Sequence, residues 1–569
     1  MARIICDLKS AKPVLGCLSA IFYFCTLIII TNCSIDGETV AGDTTSGIGA
    51  LYVEDKSDEL FDRSQLLAVD INIAAEDYQQ LRDDGRNADT IFSNCIDEFH
   101  YKEFNATVTI DGERVEDVSI RKKGFLGSLS RNRPSFKLNF STLRPGREFK
   151  SMQRMTLNND RTDPSHSHQC TTYQLFRAAG LAAPRCNWAM VTVNGENLGI
   201  YSHIESIKKP FLTRNFTDDS GNLYEAQGAD FLPNLQDNFQ LKTNEQKNNR
   251  ADLDRVVKAL QADDNEFPAA LNKVIDINEY ITFWAMEIIT SHWDSATGNA
   301  NNYYIYHNPL DNLFHFIPWG TDDSLSGSHL LSPESGPLFR YTEISARLYA
   351  IPEYRNRLHN RIQDLLSSIW DEQTLLTQID QIQRLTDTPV ALYEPVKDFF
   401  SKQQDQLQRA INGEITQNER RIEDSAATCA TVKSTIISGS FNGNQGSFQF
   451  IDDKGETISI ESGLTFTIIA NATSPSTVII GIAGSVAERS LLATVSIEVP
   501  DYQPGVIPTH GVANSIFLLD ISNGNYTPVG FAGVGTITLE EAGQAPKGSF
   551  SATFAFTDEN PLVGADTED

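Results

Sequence analysis

The sequence has 569 residues, which is room for several domains of roughly 100 to 200 residues each. Its hydrophobic fraction of 40% is that of an ordinary folded protein. The formal net charge of −29 argues against nucleic acid or an anionic membrane surface as the main partner, because both are polyanions. A metal ion, a basic substrate or a neutral glycan remains open, and the acidity can also serve solubility alone.

Residues 1–33 have the layout of an export signal. Three basic residues precede an uncharged run from Val14 to Ile30, as in a secretory leader. The run leads into a segment that resembles a bacterial lipobox with Cys33 as the lipidated residue, although Asn32 departs from the small residue usual there. An uncleaved single-span anchor is the alternative. We expect a lipid-anchored protein of the bacterial cell envelope, held outside the cytoplasm by a flexible tether over residues 34–59.

Four cysteines lie beyond the leader and the lipidation candidate, which fits export because exported chains can keep disulfides. Four cysteines allow three pairings. We favour Cys170 with Cys186, and Cys95 with Cys429. The spacing of Cys and His does not suggest a zinc site.

A basic cluster follows the start of the folded part, which is expected from about residue 60. A predicted hairpin with the turn Asp111-Gly112 leads into a segment and a strand that carry Arg121, Lys123, Arg133 and Lys137. Alternation with apolar residues puts Lys137 on the polar face of its strand. In so acidic a protein this cluster indicates an anion site with phosphate as the natural ligand, and a solvated polar face is the alternative.

A second hairpin, marked by Asn194-Gly195, ends in Glu205 on a sheet face. An ion pair between Glu205 and Lys137 is one interpretation. Between the two hairpins, His166 and His168 stand before a predicted helix. They either bind a metal or form the solvated start of that helix.

The most informative stretch is Phe283 to Leu325, where an apolar helix pattern gives way to a polar loop and a hairpin. Asp294 opens the loop, Asn299 follows five residues later, and the pair Asp322 and Asp323 lies beyond the hairpin. Protein kinases place a catalytic Asp, a metal-binding Asn and a metal-binding Asp in this order. Such oxygen ligands suit Mg²⁺. Asp and Asn are also common in turns for purely local reasons.

A series of segments resembles the CotH kinase family: IRKKGFLGS with RPSFKLNF, LNNDRTDPS, AAGLAAPR, VNGENLGIYSHIE, NNYYIY and IPWGTDDSL. The resemblance covers the predicted domain 60–430. It implies a kinase-like fold with a reduced N-terminal lobe, a requirement for ATP with Mg²⁺ or Mn²⁺, and phosphorylation of an accessible Ser on a protein substrate.

The resemblance also implies roles for individual residues. These are Asp294 in the catalytic position, Arg121, Lys123, Lys137 and Glu205 in the cofactor site, and Asn302, Asp322 and Asp323 at the metal. Many family members read Trp-Asp-x-Asp where this chain has Gly320 in place of the first Asp. Either Asp322 or Asp323 must therefore substitute for the missing acid, or activity is lost.

The composition changes after Cys429. Residues 431–569 are rich in Ser, Thr, Gly, Ile and Val, in short alternating runs separated by turns, which is typical of a β-sandwich. The predicted fold class is α+β, an atypical kinase-like domain followed by an all-β, sandwich-like accessory domain. Two functions remain: an exported kinase that phosphorylates a surface or secreted protein, or a catalytically inactive surface protein for binding or envelope assembly. The phosphoryl acceptor and the oligomeric state do not follow from the sequence.

Overall fold

The computed structural model describes residues 55–85, 99–124, 128–232, 235–327, 336–417 and 422, and then 433–556 apart from 452–454, 471–472, 474, 487–488, 512 and 523–526. The leader and the predictions for Cys33, Cys95 and Cys429 lie outside the described residues, so lipidation and the second disulfide stay predictions. Among the described residues, no helix is both long and apolar enough to span a membrane.

The first strands close a barrel in the order β1-β2-β3-β4-β5-β7-β6. Their bounds are β1 (Leu66–Ile73), β2 (Phe104–Ile110), β3 (Glu113–Lys123), β4 (Ser135–Asn139), β5 (Arg154–Asn158), β6 (Cys186–Val193) and β7 (Glu196–Glu205). Alternate residues of β1 are buried, as expected of a strand with one face on a core. The predicted turn at Asn194-Gly195 joins β6 to β7, and both of its residues have positive φ. The barrel encloses its own apolar core.

Three helices accompany the barrel: α1 (Ala75–Asp83), α2 (His168–Ala178) and α3 (Lys209–Phe216). The predicted disulfide between Cys170 and Cys186 is confirmed. It joins α2 to the start of β6 across a Cα–Cα distance of 5.0 Å. Both cysteines are fully buried, so the disulfide holds the helix against the barrel from within the core.

The second part contains a sheet of four strands in the order β11-β10-β8-β9. The strands are β8 (Asn222–Ala226), β9 (Phe239–Leu241), β10 (Tyr303–Asn308) and β11 (Leu313–Pro318). The helices are α4 (Ala251–Leu260), α5 (Phe267–Leu271), α6 (Ile277–Ile289), α7 (Glu343–Ala350), α8 (Pro352–Ser368), α9 (Glu372–Thr386) and α10 (Glu394–Ile411). Helix α6 is the central element because it is apolar on every side and almost wholly buried. The Asp276 carboxylate caps its first turn.

Residues 433–556 form the C-terminal region, a single antiparallel sheet in the order β17-β19-β18-β16-β15-β14-β13-β12-β20. The bounds are β12 (Lys433–Asn442), β13 (Gln445–Ile451), β14 (Thr457–Ala470), β15 (Thr477–Val486), β16 (Arg489–Glu498), β17 (Gly505–Pro508), β18 (Ser515–Asp520), β19 (Thr527–Glu541) and β20 (Lys547–Phe556). The all-β prediction is confirmed, but the strands form one sheet rather than the two of a sandwich. Strand β19 is long enough to pair with β20 as well as with β17 and β18, and this pairing closes the sheet on itself around its apolar core.

Candidate functional site

The polar loop after helix α6 gathers three amides around one carboxylate. The Asp294 carboxylate accepts hydrogen bonds from Asn299 Nδ2 at 3.2 Å and from Asn301 Nδ2 at 3.2 Å to each oxygen. Asn302 Nδ2 donates to Asp294 Oδ2 at 2.6 Å. All three asparagines that the sequence offered around the loop therefore meet at Asp294, and they fix the orientation of its half-buried carboxylate.

The electrostatic surroundings of Asp294 connect the loop to the turn beyond the hairpin. Burial raises the pKa of Asp294 to about 6, against the amide hydrogen bonds of Asn299 and Asn301, which lower it. The negative charges of Asp323 and Asp322 contribute to this raised pKa. These three carboxylates are thus close enough to interact, and we call them the acidic group.

Glu287, which the sequence reasoning missed, anchors the same loop from inside helix α6. Its Oε1 accepts from the backbone N–H of Ala296 at 3.0 Å, and its Oε2 accepts from the N–H of Thr297 at 3.0 Å and the hydroxyl of Thr297 at 2.5 Å. Glu287 is fully buried, and burial raises its pKa to about 8. The signal in the sequence was a Glu within the apolar run Tyr280–Ile289 of the helix, since a buried carboxyl group requires dedicated partners.

The pair Asp322 and Asp323 lies on a short helical turn, Thr321–Asp323, directly after β11. Asp322 Oδ2 accepts a hydrogen bond from the Thr162 hydroxyl at 3.1 Å, and Asp323 Oδ2 accepts one from Trp293 Nε1 at 2.8 Å. Burial raises the pKa of Asp322 to about 6, although the ammonium of Lys123 lowers it. The turn therefore connects the acidic group with the basic residues of the barrel.

Gly320 precedes this turn in a left-handed conformation, with φ of 55°. A Cβ atom at this position would lie 2.6 Å from Cγ of Asn302. The place of a side chain at residue 320 is thus taken by Asn302, which itself is bonded to Asp294. An Asp at this position would need both a strained backbone and a displaced Asn302.

Asp160, in the segment LNNDRTDPS, is a second buried carboxylate that the sequence reasoning did not single out. Its Oδ2 accepts a hydrogen bond from the Ser202 hydroxyl at 2.9 Å and lies 2.9 Å from His166 Nδ1. Burial and the nearby Asp163 carboxylate raise the pKa of Asp160 well above its usual range. Its charge also acts on both Lys123 and Asp322.

His166, which precedes α2, and His168, the first residue of α2, belong to this buried network. The prediction of a solvated helix start is wrong for His166, which is only 7% exposed, and burial lowers its pKa to about 3. His168 Nδ1 lies 3.0 Å from the backbone oxygen of Asp322. Within the described ranges, no cluster of three or more His, Cys, Asp or Glu side chains is arranged to hold a metal ion.

The basic cluster is a ladder of cations on one face of strands β3 and β4. Arg121 lies directly opposite Lys137 in the register of these strands, and Lys123 lies opposite Ser135. We call Arg121, Lys123 and Lys137 the cationic ladder. Burial lowers the pKa of Lys137 well below its usual range, and Arg121 and Lys123 lower it further. The Lys137 ammonium also lies 5.9 Å from the centre of the Trp319 ring, next to Gly320.

Arg133, the fourth basic residue of the predicted cluster, does not join the ladder. It is buried, its Nε donates to the backbone oxygen of Leu198 at 2.9 Å, and its guanidinium lies 4.9 Å from the ring centre of Tyr201. Arg133 therefore packs within the barrel.

Glu205, which the sequence suggested as a partner of Lys137, is engaged elsewhere. Both oxygens of Glu205 are engaged by arginines, at 2.8 Å from Arg185 and 2.5 Å from Arg214, so the suggested ion pair with Lys137 is not formed. The carboxylate that acts on Lys137 is instead Glu225 on β8.

Glu225 itself forms an ion pair with the Lys242 ammonium at 2.8 Å. Burial raises its pKa, but Lys242 and Lys137 outweigh burial and bring the pKa down to about 2. No local pattern of residues points to Glu225, because sheet pairing rather than spacing brings β8 to the site.

The carboxylates have the chemistry that a divalent cation requires. Mg²⁺ is usually bound by one or two carboxylates together with waters and phosphate oxygens, rather than by a cage of protein ligands. Asp322 and Asp323 are adjacent, half-buried and next to Asp294, so in donor type they fit such an ion.

Residues 120–422 match the family described as CotH kinase protein, and the chain belongs to this family. It is 22% identical to the inner spore coat protein H of Bacillus subtilis (strain 168) over 266 residues, which is 44% of this chain and 70% of that protein. It is 24% identical to the invasin CotH3 of Rhizopus delemar over 217 residues, which is 35% of this chain and only 36% of the invasin.

One solved structure is also similar, the proinflammatory kinase CtkA of Helicobacter pylori. The match covers 52% of this chain and 96% of that chain, at 12% identity and a TM-score of 0.24, which is too low to support an argument about the fold. The family match confirms the resemblance seen in the sequence. The chain is thus an α+β member of the CotH kinase family with an all-β C-terminal region.

Proposed function

We propose that this protein is an ATP- and divalent-metal-dependent kinase that transfers the γ-phosphate to a Ser side chain of a surface or secreted protein. The observation that carries the proposal is the position of the acidic group beside the cationic ladder, with Lys123 and Asp322 acting on each other. Phosphoryl transfer depends mostly on positioning and charge stabilisation, for which such a pair of opposite clusters is suited.

The cationic ladder supports phosphate binding. Like charges directly opposite each other on neighbouring strands are destabilising, as Arg121 and Lys137 are here. An anion bound between them would remove that repulsion. Because the ladder residues are only half-buried, the polyphosphate of a nucleotide could reach their donors.

Asp322 and Asp323 are proposed to hold the divalent cation, with Asn302 as a further ligand candidate. When bound there, the cation would supply positive charge that neutralises the negative charge developing during transfer. In this proposal, Asp322 and Asp323 replace the acid that other family members have at the position of Gly320.

Asp294 is proposed to orient the Ser hydroxyl and to accept its proton. Its pKa of about 6 leaves the carboxylate mainly ionised at neutral pH, and the bonds from Asn299, Asn301 and Asn302 hold it in place. A base is most effective when its pKa lies near the working pH.

A second candidate function is a catalytically inactive surface protein for binding or envelope assembly on the same scaffold. Gly320 favours this candidate, because the Asp that many family members have at this position is absent and its side chain would require Asn302 to move. For either function we propose export to the cell envelope, which the leader pattern of residues 1–33 supports.

A binding experiment on the whole chain separates the two candidates. ATP is titrated into the folded protein by calorimetry with and without millimolar Mg²⁺ or Mn²⁺, and γ-phosphate transfer to a mixture of envelope proteins is followed in parallel. A kinase binds ATP in a metal-dependent way and labels Ser. A folded protein that binds no ATP with either metal would exclude the kinase proposal.

A further inference from the structure

We propose that Glu498, at the end of strand β16 in the C-terminal region, is a positioning residue for the phosphate and metal site. The inference rests on the proposed function for its kinetic consequence, but its structural part can be tested separately. It gives the C-terminal region a role beyond that of an accessory module: the region would hold in position the two loops that contain Ser130 and Arg161.

Glu498 is fully buried and reaches across to the first part of the chain. Its Oε1 lies 3.4 Å from Arg161 Nε, and Arg161 is itself only 3% exposed. Its Oε2 accepts hydrogen bonds from the Ser130 hydroxyl at 3.1 Å and from Asn132 Nδ2 at 2.9 Å. One carboxylate therefore ties together two loops that are about thirty residues apart in the sequence.

Both loops lead directly to the site. Arg161 follows Asp160 and precedes Thr162, whose hydroxyl donates to Asp322 Oδ2 at 3.1 Å. Asn159 connects the loops to each other, because its Nδ2 donates to the backbone oxygen of Ser128 at 3.1 Å. A shift of Arg161 by even one ångström would thus move the partner of a proposed metal ligand.

The burial of the ion pair between Arg161 and Glu498 makes its loss costly in free energy. Removing one partner of a buried ion pair leaves an uncompensated charge, which is strongly unfavourable. The Glu498 carboxylate therefore stabilises Arg161 in its buried position. The ion pair between Arg161 and Glu498 thus favours one position of the C-terminal region relative to the loop that contains Arg161.

A second contact of the C-terminal region supports the strand of the cationic ladder. Lys122 points away from the ladder residues on either side of it and is fully buried. Its Nζ donates to the backbone oxygen of Arg82 at 2.7 Å and lies 2.5 Å from Nε2 of His510 in the C-terminal region. The same region thus fixes the backbone between Arg121 and Lys123.

The test compares Glu498→Gln with a matched control in the whole chain. The control is Glu540→Gln on β19, where Glu540 pairs with Lys547 at 2.7 Å and is exposed. We expect Glu498→Gln, but not the control, to increase hydrogen exchange of the backbone amides in 128–135 and 156–163. The KM for ATP should rise about tenfold, with a smaller change in kcat, as expected when the change weakens ATP binding in the ground state and in the transition state alike.

The outcomes separate this inference from the proposed function. Unchanged exchange in both loops of a folded Glu498→Gln protein would overturn the inference, whatever the ATP affinity. Increased exchange in a protein whose wild type binds no ATP would support the structural coupling while removing the kinase proposal. If Glu498→Gln fails to fold, the double variant Arg161→Met with Glu498→Leu, in which neither charge is left unpaired, is measured in the same way.

Discussion

At the scale of single residues, Asp294 is the point at which spacing in the sequence predicted most. The spacing to Asn299 and the position of Asn302 before the tyrosine pair each suggested one partner, and both donate to the carboxylate. Asp160 and Glu225 were not predicted, because their partners are distant in the sequence: Asp160 lies in the loop after β5, and Glu225 comes with β8 through sheet pairing. Local patterns cannot reveal such partners, whereas a loop of a few residues carries its own geometry.

Exchange of Asp294 for Asn should separate catalysis from binding. Asp294→Asn removes the proposed base, so we expect transfer to fall by a factor on the order of 10² to 10⁴ with ATP affinity nearly unchanged. Asp322→Asn should instead weaken metal-dependent ATP binding, because a carboxylate ligand is lost. Calorimetry and a γ-phosphate transfer assay measure the two effects. Asp237→Asn is the control, since Asp237 is 86% exposed and pairs with Arg250.

Exchange of Lys137 for Met should lower ATP affinity without any loss of stability. The ammonium is opposed by Arg121 and desolvated, so its removal relieves repulsion in the free protein. We expect ATP binding to weaken about tenfold or more and the melting temperature to stay equal or rise. The control is Lys402→Met on α10, where the side chain is 59% exposed. A fall in melting temperature for Lys137→Met alone would show that Lys137 is structural.

At the scale of elements, the sequence predicted the hairpins and helices well and their long-range pairing poorly. The turn signals Asp111-Gly112 and Asn194-Gly195 join β2 to β3 and β6 to β7, as expected. The parallel pairing of β1 with β6 closes the barrel and joins segments more than a hundred residues apart. Turn chemistry is local, but strand neighbours across such distances depend on the packing of the whole core.

The link between helix α6 and the polar loop predicts a pH-dependent stability. The pKa of Glu287 is about 8 in the folded protein against 4.5 as its usual value. Between these values the folded state holds one more proton than the unfolded state, so the free energy of unfolding falls as pH rises through this window. Glu287→Gln cannot titrate, and it also lacks one acceptor oxygen for the loop.

We therefore expect Glu287→Gln to be less stable than the wild type at pH 5, by about 2 kcal/mol. The difference should shrink and then reverse towards pH 8, because the wild type loses about 1.4 kcal/mol of stability per pH unit between the two pKa values. Chemical denaturation at several pH values measures it. Glu353→Gln on α8 is the control, since Glu353 is 71% exposed. A difference that stays constant with pH would contradict a raised pKa for Glu287.

At the scale of the whole molecule, the C-terminal region has a core of its own. The apolar core enclosed by the sheet is built from residues between Ile437 and Phe554, all of which belong to this region. We expect the fragment 432–569 to fold alone, with a β-type circular dichroism spectrum and a cooperative melt. We expect the Glu498 carboxylate to be exposed to solvent in the fragment, because its partners Arg161, Ser130 and Asn132 are not part of it. A disordered fragment would show that the rest of the chain completes the sheet.

The closing pair of strands has a consequence for how this region is joined to other chains. In the register of β12 and β20, Lys433 lies opposite Phe556, so the chain enters and leaves the sheet at the same corner. A region with adjacent entry and exit points can be placed within a loop of a host protein without forcing the host's ends apart. By the same geometry, a short bridge between residues 433 and 556 would permit circular permutation, with new termini at an exposed turn such as residues 542–545 between β19 and β20. The sheet could thus be inserted into another protein as a unit. Its contact with the CotH kinase region is made by side chains such as Glu498.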